Sequence, residues 1–529
     1  MTLRPASPST TSQSLFHRVW PWAALVVVIA LYFISARWHV LYGALNTDEG
    51  FYAITTRSVA QGEIPYRDFG FTQPPAVLYA NALPLKILGF GLFTQRIVNG
   101  AWAALALIIA AGWLVHRTNR WWALGLVMLF SLSAPWMHFT HLGKTYAITT
   151  LLATLATWVF LALKTGPRRN FLVGLLAIAG IASRLPAAPF FGLLWCGTLW
   201  PGRWPRRNEV LAAVGGIIAG LAFFVLPFWL AAPESFKFWV FDFHRASVPN
   251  KDWSLSWREI GALAPAVWTL VIVAVGGAIY QRKHLSRETC VLVAAGVALA
   301  FNLLPAGVYG EYSIPFLLPL AMAALGALHN TPMLKAMWSR LSLGAALLVI
   351  QLAGAPLLQA SLRPERIGTI NQWLPAHDPS YKKSLPDDLR KAREIVKSIL
   401  PATAPFVGSN LILAAETGHF VPRELRMGPF SWTNEMSRER AAQLHLATRD
   451  QLDAWFAQSD VTLLVFFQRW DLNYGWSMPS FDRESVAIRT AQMHRLMSAY
   501  RLTYYTEDFY ILERHGITRP VQSSGAGRP

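Results

Sequence analysis

The sequence predicts a polytopic α-helical membrane protein, with about 11 transmembrane helices and a C-terminal extracytoplasmic α/β domain. Three observations predict it. Of the 529 residues, 53% are hydrophobic and only 14% charged, and the mean hydropathy is +0.33. A soluble chain carries about 25% charged residues. Apolar stretches of roughly 15–22 residues recur from Trp20 to Ala360, the length that crosses about 30 Å of hydrocarbon as helix. Basic residues gather in short segments between these stretches: Arg117 and Arg120; Lys164, Arg168 and Arg169; Arg203, Arg206 and Arg207; Arg282, Lys283 and Arg287; Lys335 and Arg340. With Arg4 and Arg18 they fall at every second connection, the positive-inside pattern. The net charge of +18 is therefore spread over membrane-flanking loops, which argues against a nucleic-acid partner.

The elements follow in order. Residues 1–19, rich in Ser, Thr and Pro at the start, form a cytoplasmic N-terminus of disordered composition. Trp20–Ala36 is too long for a typical signal-peptide core and lacks a small-residue cleavage site, so it reads as a retained first span. Residues 20–360 form the transmembrane domain. Its spans fall near 20–37, 93–115, 121–135, 144–163, 171–184, 187–200, 210–231, 261–280, 289–305, 313–328 and 341–360. The segments flanking Arg184-Leu185-Pro186 read either as two short helices or as one broken helix. Of the two cysteines, Cys196 and Cys290, neither suits a disulfide framework or a metal cluster.

An odd number of crossings puts the C-terminus outside. Residues 361–515 change composition abruptly and read as an outer α/β domain. Pro386-Asp387-Asp388 opens a helix to about Leu400, with acids in its first turn. Ala404–Gly408 and Val461–Phe467 read as buried strands and Leu502–Glu513 as a hairpin, with covering helices at 448–458 and near 484–499. Residues 516–529 read as a disordered tail.

The chemistry is expected in the first outer loop, 38–92. Asn46 or Thr47 can N-cap a helix that places Asp48 and Glu49 in its first turn. Phe51, Ile54, Ser58 and Val59 share one face, so the helix can lie along the membrane surface until Gly62 ends it. Gln73-Pro74-Pro75 opens a second amphipathic helix carrying Leu78, Leu85 and Leu88. Two acids at a helix start are often mere capping charges. Beside a protein-lined cavity at the bilayer edge, however, acids are more often functional.

The run Asp48-Glu49-Gly50-Phe51-Tyr52, then Arg57, then Gly62-Glu63-Ile64-Pro65-Tyr66-Arg67-Asp68-Phe69 and Gln73-Pro74-Pro75 resembles the first outer loop of GT-C membrane glycosyltransferases. Within them it is most similar to the dolichyl-phosphate-mannose protein mannosyltransferase and lipid A aminoarabinose transferase group. Ser183-Arg184-Leu185-Pro186 and Glu311-Tyr312-Ser313-Ile314-Pro315 resemble two further, weaker family segments. Thr72 and Glu311 depart from the pattern, since some relatives have an acid at the first place and a basic residue at the second.

The resemblance implies transfer of a sugar from a polyprenyl-phosphate donor to a glycan, lipid or protein acceptor, on the outer face of the inner (plasma) membrane. It implies Asp48 as general base, assisted by Glu49 and Asp68. Arg57 and Arg184 are the expected ligands of the donor phosphate, through bidentate charge-assisted hydrogen bonds. Tyr52, Tyr66 and His244 are expected to contact substrate. The residues name no cofactor, and the resemblance leaves open a divalent cation held by Asp48 and Glu49, as in some relatives. His138 and His141, spaced i, i+3, lack an accompanying carboxylate or thiol for a metal site. The competing class is a transporter or flippase of lipid-linked saccharides. That class favours internal repeats and mid-membrane charges, which the sequence does not display. A non-catalytic envelope subunit would leave the acidic loop unexplained.

Overall fold

The computed structural model describes residues 15–43, 45–199, 205–246, 265–280, 286–303, 310–329, 342–347, 349–350, 385–433, 436–458, 461–466, 496–506 and 509–516. Helices dominate. In chain order the first ten are α1 (Leu15–Tyr42), α2 (Thr47–Ala60), α3 (Ala76–Leu88), α4 (Leu92–Arg117), α5 (Arg120–Ser131), α6 (Ala134–His141), α7 (Tyr146–Ala162), α8 (Pro167–Ser183), α9 (Ala188–Thr198) and α10 (Arg207–Phe224). Later apolar helices are Pro265–Tyr280, Arg287–Leu303 and Ile314–His329.

Among the described residues, four helical segments are long and apolar enough to cross a membrane: Ala23–Tyr42, Leu92–Arg117, Arg207–Phe224 and Glu311–His329. The pair α5 and α6, bent by 72° at Leu132-Ser133, would make a fifth. The other described helices over expected spans are 17 residues or shorter. The expected span 341–360 lies largely outside the described residues. Val26, Phe33, Ile108, Ile218, Phe223 and Ile272 turn large apolar side chains outward. Apolar surface repeated over so many helices suits lipid rather than water. The protein is an integral membrane protein.

Small residues let the helices approach closely, as lipid-embedded packing requires. A Cβ on Gly216 would meet the Phe171 carbonyl oxygen at 2.1 Å, and one on Gly174 the Ala213 oxygen at 2.7 Å, so α8 and α10 nearly touch backbones. Between α8 and α9 the chain does break. Arg184 is extended (φ −163°, ψ 113°), and Leu185–Ala187 form a single 3₁₀ turn before α9 begins. Proline at 186 and 189 explains the restart, since each suits a first helical turn and neither suits an interior.

Near the C-terminus, strands β1 (Val407–Gly408), β4 (Leu463–Phe466), β5 (Tyr500–Tyr505) and β6 (Tyr510–Arg514) form a sheet in the order β1-β4-β6-β5. Within this sheet β1 and β4 pair parallel and the other pairings are antiparallel; β5 and β6 are a hairpin with a register shift between Leu502 and Tyr504. β2 (Trp432–Thr433) and β3 (Ala447–Thr448) pair apart from it. Helices Leu385–Ile399 and Arg449–Ala457 stand where expected, the second started by a Thr448–Gln451 capping box. Most of the helix expected at 484–499 lies outside the described residues.

Two buried apolar clusters result. One fills the helix bundle. The other joins the segment between α1 and α4, the segment around Trp239 and the C-terminal sheet region into one core. Consequently α2 does not lie with one apolar face on the membrane. From Glu49 to Val59 every residue but Arg57 is buried. The helix Leu411–Thr417 packs on α2 so closely that a Cβ on Gly50 would meet the Ile412 nitrogen at 2.7 Å.

Candidate active site

Asn46 caps α2. Its side-chain oxygen accepts from the Asp48 amide at 3.0 Å, while Glu49 reaches back to the Asn46 amide at 3.1 Å. That cap sends the two neighbouring acids in different directions, and their surroundings differ completely.

Glu49 is fully buried. Oε1 accepts from Arg96 Nε (2.8 Å) and from the Gly143 amide (3.0 Å), and Oε2 accepts from a second Arg96 nitrogen at 2.7 Å. Arg96, equally buried, also donates to the carbonyls of Val40 and Gly43. A bidentate pair with its remaining atoms bonded is the geometry in which buried charge is tolerable. Glu49 thus ties α2 to α1, α4 and the α6–α7 connection, and its oxygens have no capacity left for an acceptor or a cation.

Asp48 stays about a quarter exposed, and its Oδ2 lies 2.8 Å from Lys144 Nζ. Lys144 precedes α7 and is itself only 7% exposed. Its ammonium also bonds Glu311 Oε1 at 3.0 Å, and the Tyr146 hydroxyl donates to the same oxygen. Arg184, 3% exposed, lies between two aromatic faces, 4.6 Å from the centre of Tyr146 and 4.3 Å from that of Tyr312. One guanidinium nitrogen donates to Thr145 Oγ1 at 2.9 Å, while its buried Nε has no hydrogen-bond partner among the described residues. Tyr52, on α2, is within electrostatic reach of Lys144, Asp48, Arg184 and Tyr312.

The site therefore draws on four helix ends: the start of α2, the start of α7, the end of α8, and the 3₁₀ turn Gly310–Ser313 that leads into Ile314–His329. It brings together two carboxylates, two cations and three tyrosines. An accessible acid beside buried cations and an orphan guanidinium donor can hold an anion and take a proton next to it.

His244 sits at the edge of this group. Its Nε2 contacts the Thr72 carbonyl and lies 3.3 Å from the Gln73 amide. Burial first, and then the positive charge of Arg184, hold its imidazole below the usual histidine range despite the Thr72 bond.

The other expected residues have other work. Arg57 donates to the His419 carbonyl at 2.6 Å, a contact with the C-terminal segment, so its guanidinium braces α2 against that segment rather than joining Lys144 and Arg184. Asp68 accepts from Arg67 (2.8 and 3.0 Å) and from the Ile64 amide (2.7 Å), closing a tight turn. The Arg67 bond holds the Asp68 carboxyl below its ordinary range. Tyr66 occupies that turn at φ 69°, is fully buried, and uses its hydroxyl on the Gln73 carbonyl and its own carbonyl on His445. Left-handed backbone is costly for a tyrosine, and these bonds hold it there. The motif Ile64–Phe69 thus builds the turn that delivers Thr72 and Gln73 to His244.

Among the described residues, no group of three or more His, Cys, Asp and Glu side chains is arranged to hold a metal ion. The two carboxylates expected to share a cation face different partners in this structure, Asp48 pairing with Lys144 and Glu49 with Arg96. His138 and His141 are buried in α6 beside His39, and His141 Nδ1 is bonded to the Met137 carbonyl. Lys144, Tyr146 and Arg96 were not singled out from sequence. Lys144 stands at the edge of an apolar span, where a lone lysine reads as an interfacial residue.

No protein-family model matches the sequence, and no curated protein matches it. Solved structures do match in fold. The crystal structure of ArnT from Cupriavidus metallidurans in the apo state has a TM-score of 0.60 at 14% identity, covering 94% of this chain and 98% of that one. ArnT from the same organism bound to undecaprenyl phosphate gives 0.55 at 12% identity over the same shares. The chain shares the ArnT fold along nearly its whole length, as the GT-C resemblance of its loop implies.

Proposed function

We propose that the protein is a membrane glycosyltransferase that moves a sugar from a polyprenyl-phosphate carrier to a protein, lipid or polysaccharide acceptor on the extracytoplasmic face. One observation carries the reading: the accessible carboxylate of Asp48 pairs with the buried Lys144, and the buried Arg184 lies with Lys144 against the ring of Tyr146, in a fold shared with a protein whose crystal structure holds undecaprenyl phosphate.

Asp48 takes the proton from the acceptor hydroxyl as its oxygen attacks the anomeric carbon. The bond from that carbon to the phosphate oxygen breaks, and the electron pair leaves with the polyprenyl phosphate. Arg184, whose Nε is a buried donor without a partner among the described residues, stabilises the charge gathering on the leaving phosphate. In a site largely closed to water such a preorganised donor is worth more than in bulk. Tyr52 and His244 line the sugar's surroundings, and Glu49 fixes the start of α2 so that Asp48 faces them. A single base with direct displacement predicts inversion at the anomeric carbon.

The test is mass spectrometry of envelope glycans and glycolipids from cells carrying the wild type, no protein, or Asp48→Asn. A glycan species present only with the wild type is expected; identical profiles in all three overturn the assignment. Cysteine labelling from outside should reach positions in 61–70 and 385–458 and spare 205–207. The reverse pattern overturns the orientation.

A further inference from the structure

We infer that Glu311 is a built-in counter-anion, competing with the carrier phosphate for Lys144 and so favouring release of the spent carrier. The inference rests on the transferase reading above and concerns the same site.

The geometry begins at one oxygen. Glu311 Oε1 accepts from the Lys144 ammonium at 3.0 Å and from the Tyr146 hydroxyl. The guanidinium of Arg184 lies against the ring of that same Tyr146 and against Tyr312, the residue after Glu311. An ammonium and a phenol donating to one anionic oxygen, with a guanidinium against the ring of that phenol, are the kind of partners a phosphate oxygen takes. In this structure a carboxylate of the chain supplies the anion.

Charge counting gives the consequence. Asp48 and Glu311 balance Lys144 and Arg184, so the group is neutral by itself. A sugar–phosphate diester brings one negative charge, and the group then carries an excess anion unless Lys144 exchanges Glu311 for phosphate. After transfer the carrier phosphate is a monoester and gains further negative charge at neutral pH. Glu311 therefore opposes the product more strongly than the donor. As the product leaves, the carboxylate returns to Lys144 and restores neutrality. Lys144 bonds Asp48 as well, so it keeps the base oriented while its other partner changes. Discrimination through a repulsive charge is a general route to specificity.

The test uses the full chain in lipid nanodiscs and undecaprenyl phosphate as probe. Glu311→Gln keeps the shape and the acceptor oxygen but removes the charge. It should bind the probe about tenfold more tightly than wild type, and Lys144→Met about tenfold more weakly. Equal or weaker binding by Glu311→Gln, or unchanged binding by Lys144→Met, overturns the inference while leaving the transferase reading standing. A wild type that does not bind the probe at all overturns both.

A second measurement needs no variant. A zero-length carbodiimide crosslink should join Lys144 to Glu311 in the wild type, read as a linked peptide by mass spectrometry, and saturating probe should abolish it. A crosslink that persists at saturation overturns the exchange.

Discussion

Two charged clusters start from adjacent residues of α2 and differ in almost every physical respect. Glu49 with Arg96 is closed: both side chains are fully buried, the pair is bidentate, and the spare donors and acceptors go to Asn46, Gly143, Val40 and Gly43. Asp48 with Lys144, Glu311 and Arg184 is open: the acid is partly exposed, one ammonium is shared by two carboxylates, and a guanidinium nitrogen has no partner among the described residues. The closed cluster holds the open one. Glu49 accepts from the Gly143 amide, one residue before Lys144, and Gln95 donates to the Gly143 carbonyl at 2.8 Å. Rigid placement of a reactive group by a neighbour that takes no part in the reaction is how preorganisation is built.

The comparison breaks most sharply at Asp48. Asp48→Asn should lower transfer by roughly 10²–10⁴-fold, the value of a positioned base. It should leave the thermal unfolding midpoint close to wild type, because the lost partner is a Lys144 that keeps Glu311. Near-normal turnover in a purified assay would remove Asp48 from the base role.

Glu49→Ala should do the opposite. It strands the Arg96 guanidinium in a buried site, and breaking such a pair costs about 3–5 kcal/mol. Denaturation in detergent is the measurement. Loss of activity with unchanged stability would mean that Glu49 belongs to the open cluster after all.

The two clusters were not equally legible in the sequence. Asp48, Glu49 and Arg184 could be singled out, because acids at a capped helix start and a basic residue in a proline-marked break are local patterns. What separated the two acids was not local. Arg96 is 47 positions from Glu49, and Glu311 is 167 from Lys144. No periodicity reports such pairs. The loop motif carried a structural meaning that its residue types do not announce: Asp68 closes a turn with Ile64 and Arg67. The partner of Arg57 was equally illegible, since the segment it meets lies more than 360 residues away. The apolar helical character of the chain, the β5–β6 hairpin and the helices Leu385–Ile399 and Arg449–Ala457 were readable because composition, caps and alternation are local. The docking of Leu411–Thr417 on α2 was not, because a seven-residue apolar stretch carries no address.

Arg57 gives the next test in size. Its charged bond to the His419 carbonyl is of the kind that contributes about 1.5–3 kcal/mol. Arg57→Ala should therefore loosen the C-terminal segment from α2, seen as faster amide exchange in Leu411–Thr417, with affinity for undecaprenyl phosphate unchanged. A large fall in that affinity with unaltered exchange would return Arg57 to the phosphate.

The smallest effect concerns His244, at the rim of the open cluster. Burial and Arg184 depress its folded pKa below the ordinary value of about 6.5. In the window between the folded value and 6.5, the unfolded chain binds more proton than the folded one, so stability rises with pH there. The neutral imidazole is fully favourable above about 6.5 and loses its advantage as the pH falls toward the folded pKa. His244→Gln has no such titration. The wild type's stability margin over His244→Gln should therefore be largest near pH 7.5 and shrink on acidification toward pH 5. Comparing the two proteins in the same buffers cancels the carboxylates common to both. A margin that grows on acidification would mean the folded state prefers the imidazolium, and would place an anion, not Arg184, as its dominant neighbour.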